Sequence, residues 1–270
     1  QFLHLSGPDG HGVCPDCPHG PRIGGLSSVP SQKGEKTEGG VKKMKMELTV
    51  LMPCLNEEKT IGACIEDAQT FLKQNNVWGE VLIADNGSTD RSAEVAKSLG
   101  ARVVSCSEKG YGNALRTGIQ EARGEYIIFG DCDRSYDFLA MAPMLDRLRE
   151  GAHVVAGDRF AKPPPKDAMS LSHRIGVRFL SWAARKRFRC TVRDFHCGLR
   201  GIHRQSILSL NLKTEGMEFA TELIAKAAQK GFTINQVPVI LRPDGRNGPS
   251  HIRTVRDGFR HLFFILKKQK

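Results

Sequence analysis

The strongest constraint on the fold is an alternation that runs from residue 47 to residue 157. Short segments rich in Val, Ile and Leu recur there, each followed by a longer stretch of helical character. ELTVLMP (47–53), EVLIAD (80–85), ARVVS (101–105), EYIIFG (125–130) and AHVVAG (152–157) predict strands. Helices are predicted between them: from 57 to about 74 with its entry set by Asn56, from the DNGSTD turn to about 99, and from KGYG to about 122. Strands and helices in this order specify an α/β fold with a mostly parallel central sheet, flanking helices and right-handed crossovers. Such sheets bind ligands beyond the carboxyl ends of their strands. The polar segments 53–57, 85–90 and 131–133 therefore belong to one edge of the molecule.

In YIIFGDCDRSYDF (126–138), four apolar or aromatic residues lead into two carboxylates spaced i and i+2, Asp131 and Asp133. Strand alternation points such residues to the same side, and two converging carboxylates call for a cation. Mg²⁺ and Mn²⁺ take few protein carboxylates and complete their shells with water and phosphate oxygens, which suits a strand end facing a diphosphate. The turn Asp85-Asn86-Gly87-Ser88-Thr89-Asp90 reads equally as a helix-capping turn or as a carboxylate and hydroxyls aimed at a nucleoside. No G-x-G-x-x-G follows the first strand and no G-x-x-x-x-G-K-[ST] occurs, which argues against dinucleotide-cofactor and P-loop chemistry.

The chain has 270 residues, of which 40% are hydrophobic and 26% charged, the balance of a soluble globular protein. No apolar run approaches the roughly 18 residues of a membrane span, and no charged-then-apolar leader marks a signal peptide. Eight scattered cysteines with a single Cys-x-x-Cys suggest a reducing compartment. Residues 1–45 are dominated by Gly, Pro, Ser and His and predict a disordered tail. Cys14 and Cys17, near His11 and His19, have no second ligand pair at finger spacing, which argues against a structural zinc. Net charge is +11, and residues 159–204 hold twelve Lys or Arg against two Asp. A block of this kind suits nucleic acid, an anionic membrane surface or a phosphorylated substrate. Nucleic-acid binding is disfavoured, because no recognition motif accompanies the block and aromatics make up only 7% of the chain.

MPCLNEEKTIG, IADNGSTDRS, EKGYGNAL and GDCDRSYDF, in that order, resemble the inverting nucleotide-sugar transferases of glycosyltransferase family 2, which have the GT-A fold. AGDRF (156–160), DFHCGLRG (194–201), GMEFATELIAKAAQKG (216–231) and RPDGRNGPSH (242–251) extend the resemblance. The set is most similar to the polyprenyl-phosphate hexosyltransferase branch, which includes the dolichol-phosphate mannose and glucose synthases. The resemblance implies a GT-A catalytic domain over 46–250, basic amphipathic helices at about 168–190 and a basic, apolar helix at 251–270. It implies transfer of mannose or glucose from GDP- or UDP-hexose to a polyprenyl phosphate, with Mg²⁺ or Mn²⁺ held by Asp131 and Asp133. Pro53, Leu55, Asn56, Glu57, Asp85, Gly87, Ser88 and Lys109 would bind the nucleotide. Arg159, Arg174, Arg178, Arg200, Arg246 and Ser250 would bind acceptor or phosphate, and Asp194 and Glu222 are candidate catalytic carboxylates. Many relatives have a second Asp where this chain has Asn86, which leaves the preferred base open.

If 171–189 is one helix, Arg174, Arg178, Arg185 and Arg189 form a stripe, with Ile175, Phe179 and Trp182 on one flank and Leu180, Ala184 and Phe188 towards the other. Arginines, Trp and Phe so arranged suit the plane of an anionic membrane interface; a core helix with a charged outer face has the same pattern. The expectation is a peripheral enzyme on the cytoplasmic face of a membrane. A transferase using a soluble or protein-bound hydroxyl would instead need a carboxylate base, and a non-catalytic module would bind the nucleotide sugar without turnover.

Overall fold

The computed structural model describes residues 45–162, 165, 168–245 and 254–267, which belong to the compact unit Met44–Lys270. The predicted tail with its Cys14–Cys17 pair, and Arg246 and Ser250, lie outside the described residues.

The elements are β1 (Leu48–Cys54), α1 (Ile61–Gln74), β2 (Gly79–Asp85), α2 (Ser92–Ser98), β3 (Arg102–Ser105), α3 (Tyr111–Glu121), β4 (Tyr126–Phe129), α4 (Ala142–Arg149), β5 (Val154–Asp158), α5 (Leu171–Phe188), β6 (Arg200–His203), α6 (Arg204–Leu208), α7 (Phe219–Gln229), β7 (Ile234–Pro238) and α8 (Thr254–Leu266). The strands form one sheet in the order β3-β2-β1-β4-β6-β5-β7. The first four in that order are mutually parallel, as are β5 and β7; only β6 runs antiparallel to its neighbours. The mostly parallel sheet expected from the alternation is therefore present.

β1 is the middle of the site-forming half. Val50 pairs with Val81 of β2 on one side and with Ile128 of β4 on the other. All seven of its residues are buried, because helices cover both faces of the sheet. Val50 and Met52 join one core with Ile61, Ile65 and Phe71 of α1 and Leu145 of α4. Leu51 points the other way and joins Leu115 and Ile119 of α3 and Leu223 of α7.

Two strands escaped the sequence reading. β6 has four residues and opens with a buried arginine, and β7 (INQVP) is a polar edge strand ending in proline, so neither carries a strong apolar signature. The first helix begins at Ile61 rather than 57, and its entry is set by Glu57, whose carbonyl accepts from the Thr60 and Ile61 amides.

Gly112 in the first turn of α3 donates to the Glu215 carbonyl at 2.8 Å, and a Cβ there would lie 2.3 Å from the Thr214 carbonyl oxygen. Gly112→Ala is expected to lower stability by about 1–3 kcal/mol, the usual cost of overpacking, measured by the urea midpoint. An unchanged midpoint would show that this approach is not tight.

Candidate functional site

Because β2, β1 and β4 are adjacent and parallel, the loops leaving their carboxyl ends emerge together. They surround a cavity of about 340 Å³. Pro53, Leu55 and Glu57 come from the end of β1, Asn86 from β2, Lys109 to Tyr111 from the start of α3, and Asp131 and Cys132 from beyond β4. Met217, ahead of α7, and Asp257 and Arg260 of α8 complete the walls. The three polar strand ends predicted to share one edge do so.

Hydrogen bonds between loops, and one within the 85–90 turn, hold this rim. Asn56 adopts φ 57°, its amide donates to Ser88 Oγ at 3.0 Å, and its Oδ1 accepts from the Thr89 amide at 2.8 Å. Asp85 Oδ1 accepts from the Ser88 amide, across the tight turn at Gly87, where φ is 89°. Asn56, Asp85, Gly87 and Ser88 thus shape the cavity without lining it, whereas Pro53, Leu55, Glu57 and Lys109 line it directly. Asn86 uses both ends of its amide: Nδ2 donates to the Glu108 carbonyl at 2.8 Å, and Oδ1 accepts from the Gly110 amide at 2.7 Å. An aspartate could not make the first of these bonds, which explains why asparagine suits this position.

Asp131 and Asp133 are not related by strand alternation. β4 ends at Phe129, and the segment after it turns, with Arg134 at φ 69°. Only Asp131 lines the cavity. Asp133 is buried, and its Oδ1 accepts from the amide and hydroxyl of Ser135 at 3.0 and 2.5 Å, so this carboxylate organises its own turn. The expected converging pair is therefore corrected to one carboxylate facing the cavity with a second behind it. Burial and the neighbouring Asp131 carboxylate hold the Tyr111 phenol well above its usual range. The Tyr111 hydroxyl accordingly stays protonated and hydrogen-bonds Asp131. Gly198 leaves room for this carboxylate: a Cβ there would lie 2.5 Å from Asp131 Oδ2.

A second cavity, of about 130 Å³, lies between α5 and α8 and shares Met217 and Asp257 with the first. Arg159 is its charged wall, beside His173, Leu180, His196 and His261. Arg159 is bidentate with Asp194, at 2.6 and 2.9 Å, and both side chains are buried. Burial alone would raise the Asp194 carboxyl, but the Arg159 guanidinium overrides it and holds the group below the usual carboxylate range. Asp194 also accepts from the His196 amide at 3.1 Å. Its geometry is that of a strut for Arg159 and not of a proton acceptor for substrate.

Two further candidates are also struts. Glu222 accepts from the Lys213 and Thr214 amides, from Thr214 Oγ1 at 2.7 Å and from Lys226 Nζ at 2.7 Å. It pins the 213–215 loop against α3 and lines neither cavity. Arg200 has 0% exposure and donates to the carbonyls of Phe195, Cys197 and Ala220, so the acceptor-phosphate role expected of it does not fit. Arg174 is partly exposed and Arg178 exposed, the latter 5.0 Å over the Phe160 ring. Tyr111, Met217, Asp257 and Arg260 went unnoticed in the sequence. Tyr111 had a usable signal, its place inside EKGYGNAL; the others depend on how α7 and α8 pack.

A sequence model described as Glycosyl transferase family 2 matches residues 49–209. The low-salt glycan biosynthesis hexosyltransferase Agl6 of Haloferax volcanii is 35% identical over 221 residues, covering 81% of this chain and 53% of the relative, so the chain spans about half of that protein. The dolichyl-phosphate hexose transferase of the same organism is 30% identical, covering 73% of this chain and 83% of the relative. Among solved structures, glucosyl-3-phosphoglycerate synthase from Mycobacterium tuberculosis, in complex with Mn²⁺, UDP-glucose and phosphoglyceric acid, superposes with a TM-score of 0.66 at 24% identity, covering 82% of this chain and 79% of that one.

Asp194→Asn would leave the buried Arg159 without its counter-charge, at an expected cost of about 3–5 kcal/mol. The Asp194 pKa is depressed in the fold, so its contribution is complete above the unfolded value of about 4 and is lost as pH falls through the lower folded value. Urea midpoints measured from pH 7 to pH 2 should fall on the acid side in the native chain and fall less in the variant. Parallel curves would contradict the assignment.

Proposed function

The chain belongs to glycosyl transferase family 2 and has the GT-A-type fold, and from that premise we propose that it transfers a hexose, with inversion, from a nucleoside diphosphate sugar to the phosphate of a polyprenol. The observation that carries the reading is the adjacency of two unlike cavities. One is the strand-end cleft with Asp131, of a size for a nucleotide sugar. The other holds the buried Arg159 between two helices that expose large apolar side chains among their charges. The names of two relatives, a dolichyl-phosphate hexose transferase and the dolichyl-phosphate beta-glucosyltransferase of Saccharomyces cerevisiae, support the acceptor class.

Among the described residues no group of three or more His, Cys, Asp or Glu could hold a metal by itself. That fits Mg²⁺ or Mn²⁺, which are bound by one or two carboxylates together with substrate phosphates. Asp131 would hold the ion, with Asp133 behind it. When bound, the ion supplies neutralisation of the charge that develops on the departing diphosphate. The Mn²⁺ and Mg²⁺ complexes of the structurally similar synthase support a divalent ion. Tyr111 would fix the Asp131 carboxylate, and Lys109 would meet the diphosphate from the start of α3. Pro53, Leu55 and Glu57 would enclose the nucleoside, and the Asn86 amide would hold the loop above it.

A phosphate monoester has its second pKa near about 6 and is already an anion at neutral pH. It needs positioning more than deprotonation. This accords with Asp194 and Glu222, both committed to structural hydrogen bonds. Arg159, held rigid by Asp194, would guide the acceptor phosphate, with Arg174 and Arg178 at the entrance. A hydroxyl acceptor would ask for a carboxylate base, and the two proposed for it are engaged elsewhere.

The lipid would approach along α5 and α8, which pack together through Phe188 and Phe264. Ile175 and Phe179 on α5 are 61% and 55% exposed, and Phe259 and Phe263 on α8 are 67% and 69% exposed. No helix among the described residues is long and apolar enough to cross a membrane. The arrangement suits a peripheral contact in which apolar side chains dip into the interface and arginines meet anionic headgroups.

A mass-spectrometric assay with several nucleotide hexoses and polyprenyl phosphates should yield one hexosyl phosphate lipid, with product formation abolished by a chelator and restored by Mn²⁺ or Mg²⁺. Transfer only to hydroxyl acceptors, or nucleotide binding with no product from any acceptor, would contradict the proposal. In flotation with anionic vesicles, Arg174→Glu with Arg178→Glu should weaken binding roughly tenfold or more, since each cation at such a surface contributes about 1 kcal/mol. Unchanged flotation would remove the membrane contact.

A further inference from the structure

The floor of the strand-end cleft carries two thiols side by side. Cys54 is the last residue of β1, and Cys132 follows β4. Leu51 is the register partner of Phe129, and the Gly130 amide continues that ladder to the Leu51 carbonyl at 3.2 Å. Cys132 lies past the end of that ladder, in the turn that follows β4. The Cys132 thiol donates to the carbonyl of Pro53, next to Cys54, at 3.3 Å, and the two thiols interact directly. Both belong to the same core face, with exposures of 2% and 1%, and both line the cleft. β1 and β4, from whose ends the two cysteines come, run about 4.8 Å apart, and a disulfide spans Cα separations of about 4.4–6.8 Å. The transferase chemistry proposed above uses neither sulfur.

We propose that Cys54 and Cys132 form a modification site, joined into a disulfide by a peroxide-class oxidant so that the cleft no longer binds nucleotide, and reopened by thiol reductants. One thiolate attacks a peroxide oxygen and becomes a sulfenic acid as the other oxygen leaves as water after protonation. The second thiol then displaces the sulfenic oxygen as water, forming the S–S bond. Overall two thiols lose two electrons and two protons, and hydrogen peroxide becomes two waters.

The consequence for the cleft follows from position. Cys132 lies between Asp131 and Asp133, so drawing its sulfur to Cys54 moves the turn that carries both carboxylates. Cys54 Sγ also lies 3.8 Å from Ser88 Oγ, the hydroxyl that accepts from the Asn56 amide. Bond formation therefore disturbs the brace between two of the three strand-end loops. The other four described cysteines are placed differently: Cys64 is inside α1, Cys106 follows β3 with its thiol donating to the Glu108 carbonyl at 3.0 Å, Cys190 follows α5, and Cys197 packs near the Tyr136 hydroxyl at 3.9 Å.

The effect on binding rests on the reading of the cleft as a nucleotide site, and the experiment separates the two. The full reduced chain is first titrated with UDP and with GDP in the presence of Mn²⁺. It is then treated with hydrogen peroxide, blocked with N-ethylmaleimide and digested without reductant for mass spectrometry. The expected result is a peptide pair linked through Cys54 and Cys132, lighter by two hydrogens. Nucleotide affinity should fall at least tenfold and be restored by dithiothreitol, and linkage should be slower when nucleotide and Mn²⁺ are bound first. Cys54→Ser should carry its own starting affinity through the treatment. Peroxide consumption without that linked pair, or linkage with undiminished affinity, would overturn the proposal. A reduced chain that binds neither nucleotide would instead overturn the reading of the cleft, before any oxidant is added.

Discussion

The position of β1 between β2 and β4, parallel to both, is the constraint on which the rest depends. Parallel pairing sends three loops out over the same edge, and burial of β1 on both faces fixes its register. A slip of one residue would exchange Val50 and Met52 with Leu51 between two different cores. It would also move the 53–57 loop away from Asn86 and Asp131. Cleft and core are thus set by the same hydrogen-bond ladder.

Around this cleft the interior charges are used as struts. Asp194 holds Arg159, Glu222 holds the 213–215 loop, and Arg200 gathers three carbonyls. A buried charge must be paired or hydrogen-bonded, and one that has several partners is rigid. Rigidity of this kind suits a site that works by orienting two anions, the diphosphate of the donor and the phosphate of the acceptor. The hydrogen bond from Tyr111 places the cleft-facing Asp131 carboxylate under the same discipline.

Much of this was legible in the sequence where periodicity and order carried it. The five strands from 47 to 157, the shared edge of the three polar motifs, the family, and the exposed Ile175 and Phe179 beside arginines on α5 all follow from local pattern. What failed was reasoning that needed tertiary context. Strand alternation placed Asp131 and Asp133 together, but the strand stops two residues earlier and a turn intervenes. Arg200 looked like a phosphate ligand in a basic block, yet it is a strand residue facing the core. Asn86 looked like a departure from an acidic position, and only the loop above it shows why an amide is used. The roof formed by α8 could not be inferred from its own amphipathic pattern, because nothing local says that Asp257 and Arg260 hang over the cleft while His261 reaches the second cavity.

The central claim is that Asp131 presents a divalent ion to a nucleoside diphosphate in the strand-end cleft. Calorimetric titration of UDP and GDP into the native chain and into Asp131→Asn, with Mn²⁺ and with chelator, tests it most directly. The account predicts that Mn²⁺ tightens binding of one nucleotide at least tenfold in the native chain and has no such effect in the variant. Equal affinities with and without the ion, or an undiminished enhancement in the variant, would contradict it.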